Sequence, residues 1–176
     1  MGGNGQEKAC GLAQSGSESE ASPRMFPARL FPAMDLALDE ARAAAARGEV
    51  PVGAVLLGPG GTVLARAGNM VEAANDASAH AEMLVLRAAA AARGSPRLAD
   101  CDLVATLEPC PMCAQAIGLF RIRRLIFGAY DPKGGGVEHG ARVFDAASSH
   151  HRPDIVGGVR ETDCAGLLKA FFASRR

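Results

Sequence analysis

From Phe31 to Arg47, the apolar residues Met34, Ala37, Leu38, Ala41 and Ala44 recur at helical spacing against Asp35, Asp39, Glu40 and Arg42. This predicts an amphipathic helix ended by Gly48. The period then changes. Val52 to Leu57 is a short apolar run suited to a buried strand, Gly58-Pro59-Gly60-Gly61 is a turn, and Thr62 to Ala67 is its returning hairpin partner. His80 to Ala92 sets Leu84, Val85, Ala88, Ala89 and Ala92 on one helical stripe, closed by Gly94-Ser95-Pro96. Asp102 to Leu107 reads as a strand, Cys110 to about Phe120 as a helix, and Arg124 to Ala129 as a strand again. Strand, helix, strand is the unit that builds a parallel sheet with helices packed on it.

The Gly- and His-rich segment from Asp131 to Pro153 is too long for a plain connection and predicts a functional or partly helical excursion. Asp154 to Val156 adds an edge strand. Thr162 is the expected N-cap of a last helix with the stripe Leu167, Leu168, Phe171 and Phe172.

Composition changes the picture at the N-terminus. Residues 1–30 begin with a Gly-, Ser-, Glu- and Gln-rich stretch too poor in apolar side chains to repay ordering, and are expected to form a disordered tail. Residues 31–176 are then one folded domain. Lys plus Arg and Asp plus Glu balance at 19 each, so no bulk charge points to a polyanion or a membrane. There is no apolar run of the roughly 18 residues that a membrane span needs, and no secretory leader pattern, so the expected compartment is the cytoplasm. Five cysteines with one close pair, Cys110 and Cys113, fit metal or redox chemistry better than a disulfide framework.

That pair sits in Thr106-Leu107-Glu108-Pro109-Cys110-Pro111-Met112-Cys113, where a strand passes into a helix. Two thiols on a first helical turn can point at one ion, and the helix dipole favours their thiolate forms. Pro109 and Pro111 suit a first turn, where no backbone donor is needed. A redox pair or two buried thiols would share the same spacing. His80, also at a helix start, supplies a third ligand, and zinc held by three protein ligands keeps its fourth position for water. A structural zinc would require a fourth protein ligand, for which Cys10, Cys101 and Cys164 are the candidates. His139, His150 and His151 fall in the long loop and read as surface or substrate-contacting groups.

Glu82 follows His80 by two residues, a spacing that does not share a helical face. At the open end of a helix this constraint lapses, and a carboxylate there can take a proton from a metal-polarised water and pass it to a substrate.

The pairing of His80-Ala81-Glu82 with Pro109-Cys110-Pro111-Met112-Cys113 resembles the signature of the zinc-dependent nucleotide deaminases. Within that group the chain is most similar to the bacterial tRNA-specific adenosine deaminases. The resemblance runs over Glu49-Val50-Pro51-Val52-Gly53-Ala54-Val55, Asn69, Asn75-Asp76, Ala79 to Glu82, Thr106 to Cys110, Phe127-Gly128-Ala129 with Asp131, and Leu167-Leu168 to Phe171-Phe172 with Arg175-Arg176.

It implies an α/β, three-layer fold of cytidine-deaminase type, with a central mixed five-stranded sheet and helices on both faces. It also implies a zinc-dependent deaminase domain over 31–176, with one Zn2+ per subunit on His80, Cys110 and Cys113 and Glu82 as catalytic proton carrier. The implied reaction converts the wobble adenosine (position 34) of a tRNA anticodon loop to inosine, in a homodimer that takes the anticodon stem-loop as partner. The resemblance further assigns Asn69 to the target nucleotide, the Ala81 amide to the base or its attacking oxygen, Val52 to a pocket wall, and Asp131 to the sugar-phosphate backbone. Each has a plainer reading as well: Asn69 and Asp131 as turn residues, Val52 as strand core.

The chain departs from the common pattern at Leu119-Phe120, at Tyr130 and in the glycine-rich Lys133-Gly134-Gly135-Gly136. A deaminase of a free nucleobase or nucleoside, such as guanine, cytosine or cytidine, is the alternative, because one zinc site serves them all. Arg121, Arg123, Arg124, Arg152, Lys169, Arg175 and Arg176 are candidates for a basic RNA footprint near the site. A non-catalytic RNA-binding protein with structural zinc would have no use for Glu82.

Overall fold

The computed structural model describes residues 1–2 and 30–175, so the expected 1–30 tail lies, apart from its ends, outside the described residues. The elements follow the order α1 (Leu30–Ala46), β1 (Gly53–Leu57), β2 (Val63–Gly68), α2 (Val71–Ala74), α3 (Ala81–Arg93), β3 (Asp102–Leu107), α4 (Pro111–Leu119), β4 (Arg124–Ala129), β5 (Asp154–Val156) and α5 (Glu161–Ala173). They build one sheet in the order β2-β1-β3-β4-β5. β1 runs antiparallel to both of its neighbours, whereas β3, β4 and β5 are parallel. The mixed five-stranded sheet with helices on both faces is thus as expected.

The continuous apolar runs of the central strands follow from burial on two sides. Val55, Leu57, Val104 and Ile126 point to one face, where they meet Met34, Ala37 and Leu38 of α1 and Cys164 of α5. The alternate residues Ala54, Leu56, Leu103, Leu125 and Phe127 point to the other, against Val85, Leu86 and Ala89 of α3 and Ile117 of α4. Burial of each Leu, Ile or Phe contributes about 1.5–3 kcal/mol relative to exposure, so this double layer is the main source of stability. Among the described residues no helix is long and apolar enough to cross a membrane.

One local expectation needs correction. α5 starts at Glu161 with Arg160 as its N-cap residue, not Thr162. Arg160 takes a left-handed conformation with φ 54°, and its guanidinium pairs with Asp163 at 2.8 Å and with Asp35 of α1. These ion pairs, one of them long-range, fix the turn where a hydroxyl cap was expected. The short α2 had no counterpart in the sequence pattern. Its first amides are held from a distance by the buried Glu49, which accepts from the N–H of Glu72 at 3.3 Å and of Ala73 at 2.9 Å. The long loop after β4 contains a single 3-10 turn, Val143–Asp145.

Gly53 opens β1 directly beneath α1. A Cβ there would fall on the carbonyl oxygen of Ala37 and stand 2.6 Å from the Ala41 nitrogen, both main-chain atoms that cannot swing aside. Gly53→Ala is therefore expected to destabilise the fold by about 2–3 kcal/mol, the scale of an overpacked core. A denaturant midpoint unchanged from that of the parent protein would contradict this packing.

Candidate metal centre and active site

Two helix starts meet at one end of the sheet. His80 is the N-cap residue of α3 and Cys110 the N-cap residue of α4, each with extended backbone, at ψ 149° and ψ 169°. Pro111 takes the first position of α4, where its missing N–H leaves nothing unsatisfied. Because α3 and α4 lie on the same face of the sheet, the two caps converge. His80 Nδ1 stands 3.6 Å from Cys110 Sγ and 3.5 Å from Cys113 Sγ. All three ligand atoms lie within 4.8 Å of one another.

These distances fit zinc. A nitrogen about 2.05 Å and a sulfur about 2.3 Å from a tetrahedral centre stand about 3.6 Å apart. The donor set of one imidazole and two thiols is the chemistry that zinc selects. Cys113 is fully buried and Cys110 half-buried. A hydrogen bond from Cys113, helped by the His80 ring, pulls the Cys110 thiol down to about 4, while the same bond and burial raise Cys113. His80 is raised in turn by its bond to Cys110. The three groups compete for protons that a divalent cation displaces.

Neither candidate for a fourth protein ligand among the described residues joins them. Cys101 lies against Arg93 and Asp100, and Cys164 against Met34. Cys10 lies outside the described residues.

Glu82 sits in the first turn of α3, 3% exposed, with its carboxyl in contact with the Cys113 thiol. Its Oε2 is buried and has no hydrogen-bond partner among the described residues. Burial pushes the carboxyl up to about 7, and a cation at the triad acts in the opposite direction.

The other expected residues fall into two sets. Asn69 and Ala81 meet: Asn69 Oδ1 accepts the Ala81 N–H at 3.1 Å, which ties the end of β2 to the start of α3. Val52 packs in the same apolar cluster as Ala81 and Cys113. Asp131 lies on the loop after β4, where its Oδ1 accepts from the amides of Lys133 at 3.1 Å and Gly134 at 2.9 Å, as in its turn reading. Of the loop histidines, His139 Nδ1 stands 2.8 Å from Glu108 Oε2 and His151 Nε2 stands 2.6 Å from the Ile122 carbonyl.

The basic footprint does not assemble as expected. Arg123 and Arg124 precede and open β4, about 20 Å of strand from the end that carries the metal. There Arg123 pairs with Asp102 at 2.9 Å and Arg152 with Asp145 at 2.6 Å, and Arg121 binds the His150 carbonyl. Arg176 lies outside the described residues. Arg175 is placed differently. It donates to the Gly48 carbonyl at 2.8 Å, just ahead of the Val52 segment, and stacks over Phe171. Arg47, which no motif singled out, reaches the Asn69 carbonyl at 3.3 Å.

Replacing His80 or Cys110 by Ala is expected to release zinc and lower the unfolding temperature, because ligand binding and folding are linked. Metal analysis of the purified variants, set against the parent protein, checks this. Stoichiometric zinc in both would rule out the triad as the binding site.

Residues 30–129 match the model of the cytidine and deoxycytidylate deaminase zinc-binding region. The tRNA-specific adenosine deaminase of Agrobacterium fabrum is 52% identical over 143 residues, covering 81% of this chain and 93% of that protein. The enzyme of the same name from Bacillus subtilis is 45% identical over 143 residues, covering 81% of this chain and 88% of that protein. A solved structure from work on A-to-I editing by tRNA:A34 deaminases is 52% identical and superposes with a TM-score of 0.76, covering 78% of this chain and 99% of that one. With the signature residues gathered around one zinc-fitting triad, the chain belongs to the cytidine and deoxycytidylate deaminase zinc-binding family.

Proposed function

We propose that the protein is a hydrolytic deaminase that converts the wobble adenosine, position 34 of a tRNA anticodon loop, to inosine and ammonia. The observation that carries this reading is the extent of the likeness to enzymes named for that reaction, at 52% identity over nearly their whole length. The buried, unpartnered Glu82 Oε2 beside the triad supplies the group that the chemistry requires.

Zinc, when bound, lowers the pKa of water to about 7 and so provides a nucleophile at neutral pH. The roles of the chain's own residues combine their placement with what the family resemblance implies. His80, Cys110 and Cys113 would hold the ion. Glu82 Oε2 takes the proton of the attacking water and gives it to N1 of the purine as the C6–O bond forms. It then carries the second proton to the amine, so the C6–N bond breaks with loss of ammonia and C6 becomes a carbonyl. Asn69, with Oδ1 engaged by the Ala81 amide, orients the nucleotide through Nδ2, and Val52 walls the base. Asp131, with Oδ1 closing its own turn, offers Oδ2 to the sugar-phosphate backbone. Arg47 and Arg175, at the Asn69 and Gly48 carbonyls, are the cations placed to meet phosphates.

The reading includes a cytoplasmic location, where tRNA is found, and a homodimer. Support for the dimer comes from α4. Its inner face, with Cys113, Ala114, Ala116 and Ile117, is buried, whereas Met112 and Leu119 on the outside are 38% and 61% exposed. Exposed apolar side chains of this size along one helix fit a protein interface.

Three measurements test the proposal. The protein is expected to form inosine in an anticodon stem-loop with a wobble adenosine, and no ammonia from guanine, cytosine or cytidine. Ammonia from a free base alone would select the small-molecule alternative. Glu82→Ala should keep its zinc and lose deamination by about 10²–10⁴-fold or more, the usual contribution of a positioned acid-base group. Full activity would remove Glu82 from the mechanism. Leu119→Glu is expected to shift the sedimentation coefficient from dimer to monomer, and a monomeric parent protein would refute the assembly.

A further inference from the structure

Glu108 precedes the metal-ligating Cys110 by two residues, yet its side chain points away from the triad into the loop after β4, and it is completely buried. Its two oxygens divide five donors between them. Oε1 accepts from the amides of Val137 at 3.3 Å, Glu138 at 2.8 Å and His139 at 2.8 Å. Oε2 accepts from the Asp131 amide at 3.1 Å and faces His139 Nδ1 at 2.8 Å.

The loop so gathered lies directly on the metal corner. The Gly136 amide donates to the Pro109 carbonyl at 2.8 Å, and a Cβ on Gly136 would stand 2.6 Å from Pro111 N and 2.8 Å from the Cys110 carbonyl carbon. A Cβ on Gly135 would stand 2.7 Å from the Glu108 carboxyl itself. Two glycines therefore permit the approach, and one carboxylate holds it. On its outer side the His139 ring packs edge-on against Tyr130, with centroids 5.6 Å apart.

We propose that Glu108 and His139 form a positioning clamp that presses the loop after β4 onto the Cys110 corner and fixes Cys110 and Asp131 relative to each other. Neither residue touches the reacting atoms. The clamp acts by holding a metal ligand on one side and the Asp131 turn on the other. His139 closes it, because its Nδ1–H is the one side-chain donor among the five and its backbone N–H binds the other oxygen of the same carboxylate. The Asp131 half of the inference rests on the reading of the protein as an RNA deaminase, whereas the Cys110 half does not.

The test uses the zinc-loaded full chain and its cobalt(II)-substituted form. His139→Ala removes one donor from a ring that is 38% exposed, so the fold survives, which a thermal midpoint verifies. It is expected to release zinc to a chelator at least five-fold faster, to shift the cobalt d–d bands, and to raise KM for the stem-loop five-fold or more while kcat changes less. His139→Asn places an amide nitrogen where Nδ1 stood and should restore all three readouts. Glu108→Gln turns one carboxylate oxygen into a donor facing other donors and should exceed His139→Ala in each. Wild-type zinc release and cobalt spectrum in His139→Ala, or no recovery in His139→Asn, would overturn the clamp. If the parent protein leaves the stem-loop unmodified, the RNA reading fails, while zinc release and the cobalt spectrum still decide the clamp.

Discussion

Two thiols and an imidazole are held within 4.8 Å of one another at a partly buried site, and the rest of the architecture answers to that constraint. Groups this close compete for protons in the absence of a cation and become mutually compatible with one. Bringing them together requires two helix starts at the same sheet end, with both helices on the same face. The antiparallel pairing of β1 with β3 and the parallel step from β3 to β4 achieve this. The α4 crossover starts at the end of β3 and places Cys110 and Cys113, while the hairpin and α2 deliver His80 from the other side. Neither joint would hold its ligand in place without the sheet beneath it.

The joints are fixed by buried polar groups rather than by apolar contacts alone. Glu49 holds α2, Asn69 holds the Ala81 amide, and Thr106 Oγ1 accepts from the Gly53 amide at 3.0 Å across β1 and β3. Each satisfies a backbone donor that the packing has removed from water, and an unsatisfied one would cost about 1–3 kcal/mol. Directional bonds of this kind set the position of a loop to within a fraction of an ångström, which apolar contact does not.

The division between what the sequence made legible and what it hid follows from that distinction. Helices α1 and α4 and strands β1, β3 and β4 were readable because their apolar periods match burial on one face or two, whereas α3 was read as a helix on a stripe that includes the exposed Ala88 and Ala92, while its buried face is Met83, Val85, Leu86 and Ala89. The ligand triad was readable because metal chemistry restricts both residue types and spacing. The start of α5, the existence of α2 and the orientation of Glu108 were not. In each of these a charged side chain acts on a partner far away in sequence: Arg160 on Asp35, Glu49 on Glu72, and Glu108 on His139. The basic footprint failed for a related reason. Arg121, Arg123 and Arg124 are adjacent to the helix that carries the ligands, yet one helix and one strand length away from them in space.

Glu82 shows why the two-residue spacing from His80 is informative. At the start of α3 the capping residue is still extended, so His80 turns back across the joint while Glu82, in the first turn of the helix, is carried under it. A carboxyl sealed from solvent with one oxygen unpaired is unfavourable in any protein that has no use for it. The surrounding structure could have satisfied it, as it satisfies Glu108 with five donors and Glu49 with two amides. Leaving Oε2 open while pairing its neighbours is the arrangement that proton transfer requires, since a carboxylate saturated with fixed hydrogen bonds has neither a free lone pair nor a pKa near neutrality. The contrast is between two buried carboxyls close to the same triad, Glu82 with one oxygen left without a donor among the described residues and Glu108 with both oxygens filled.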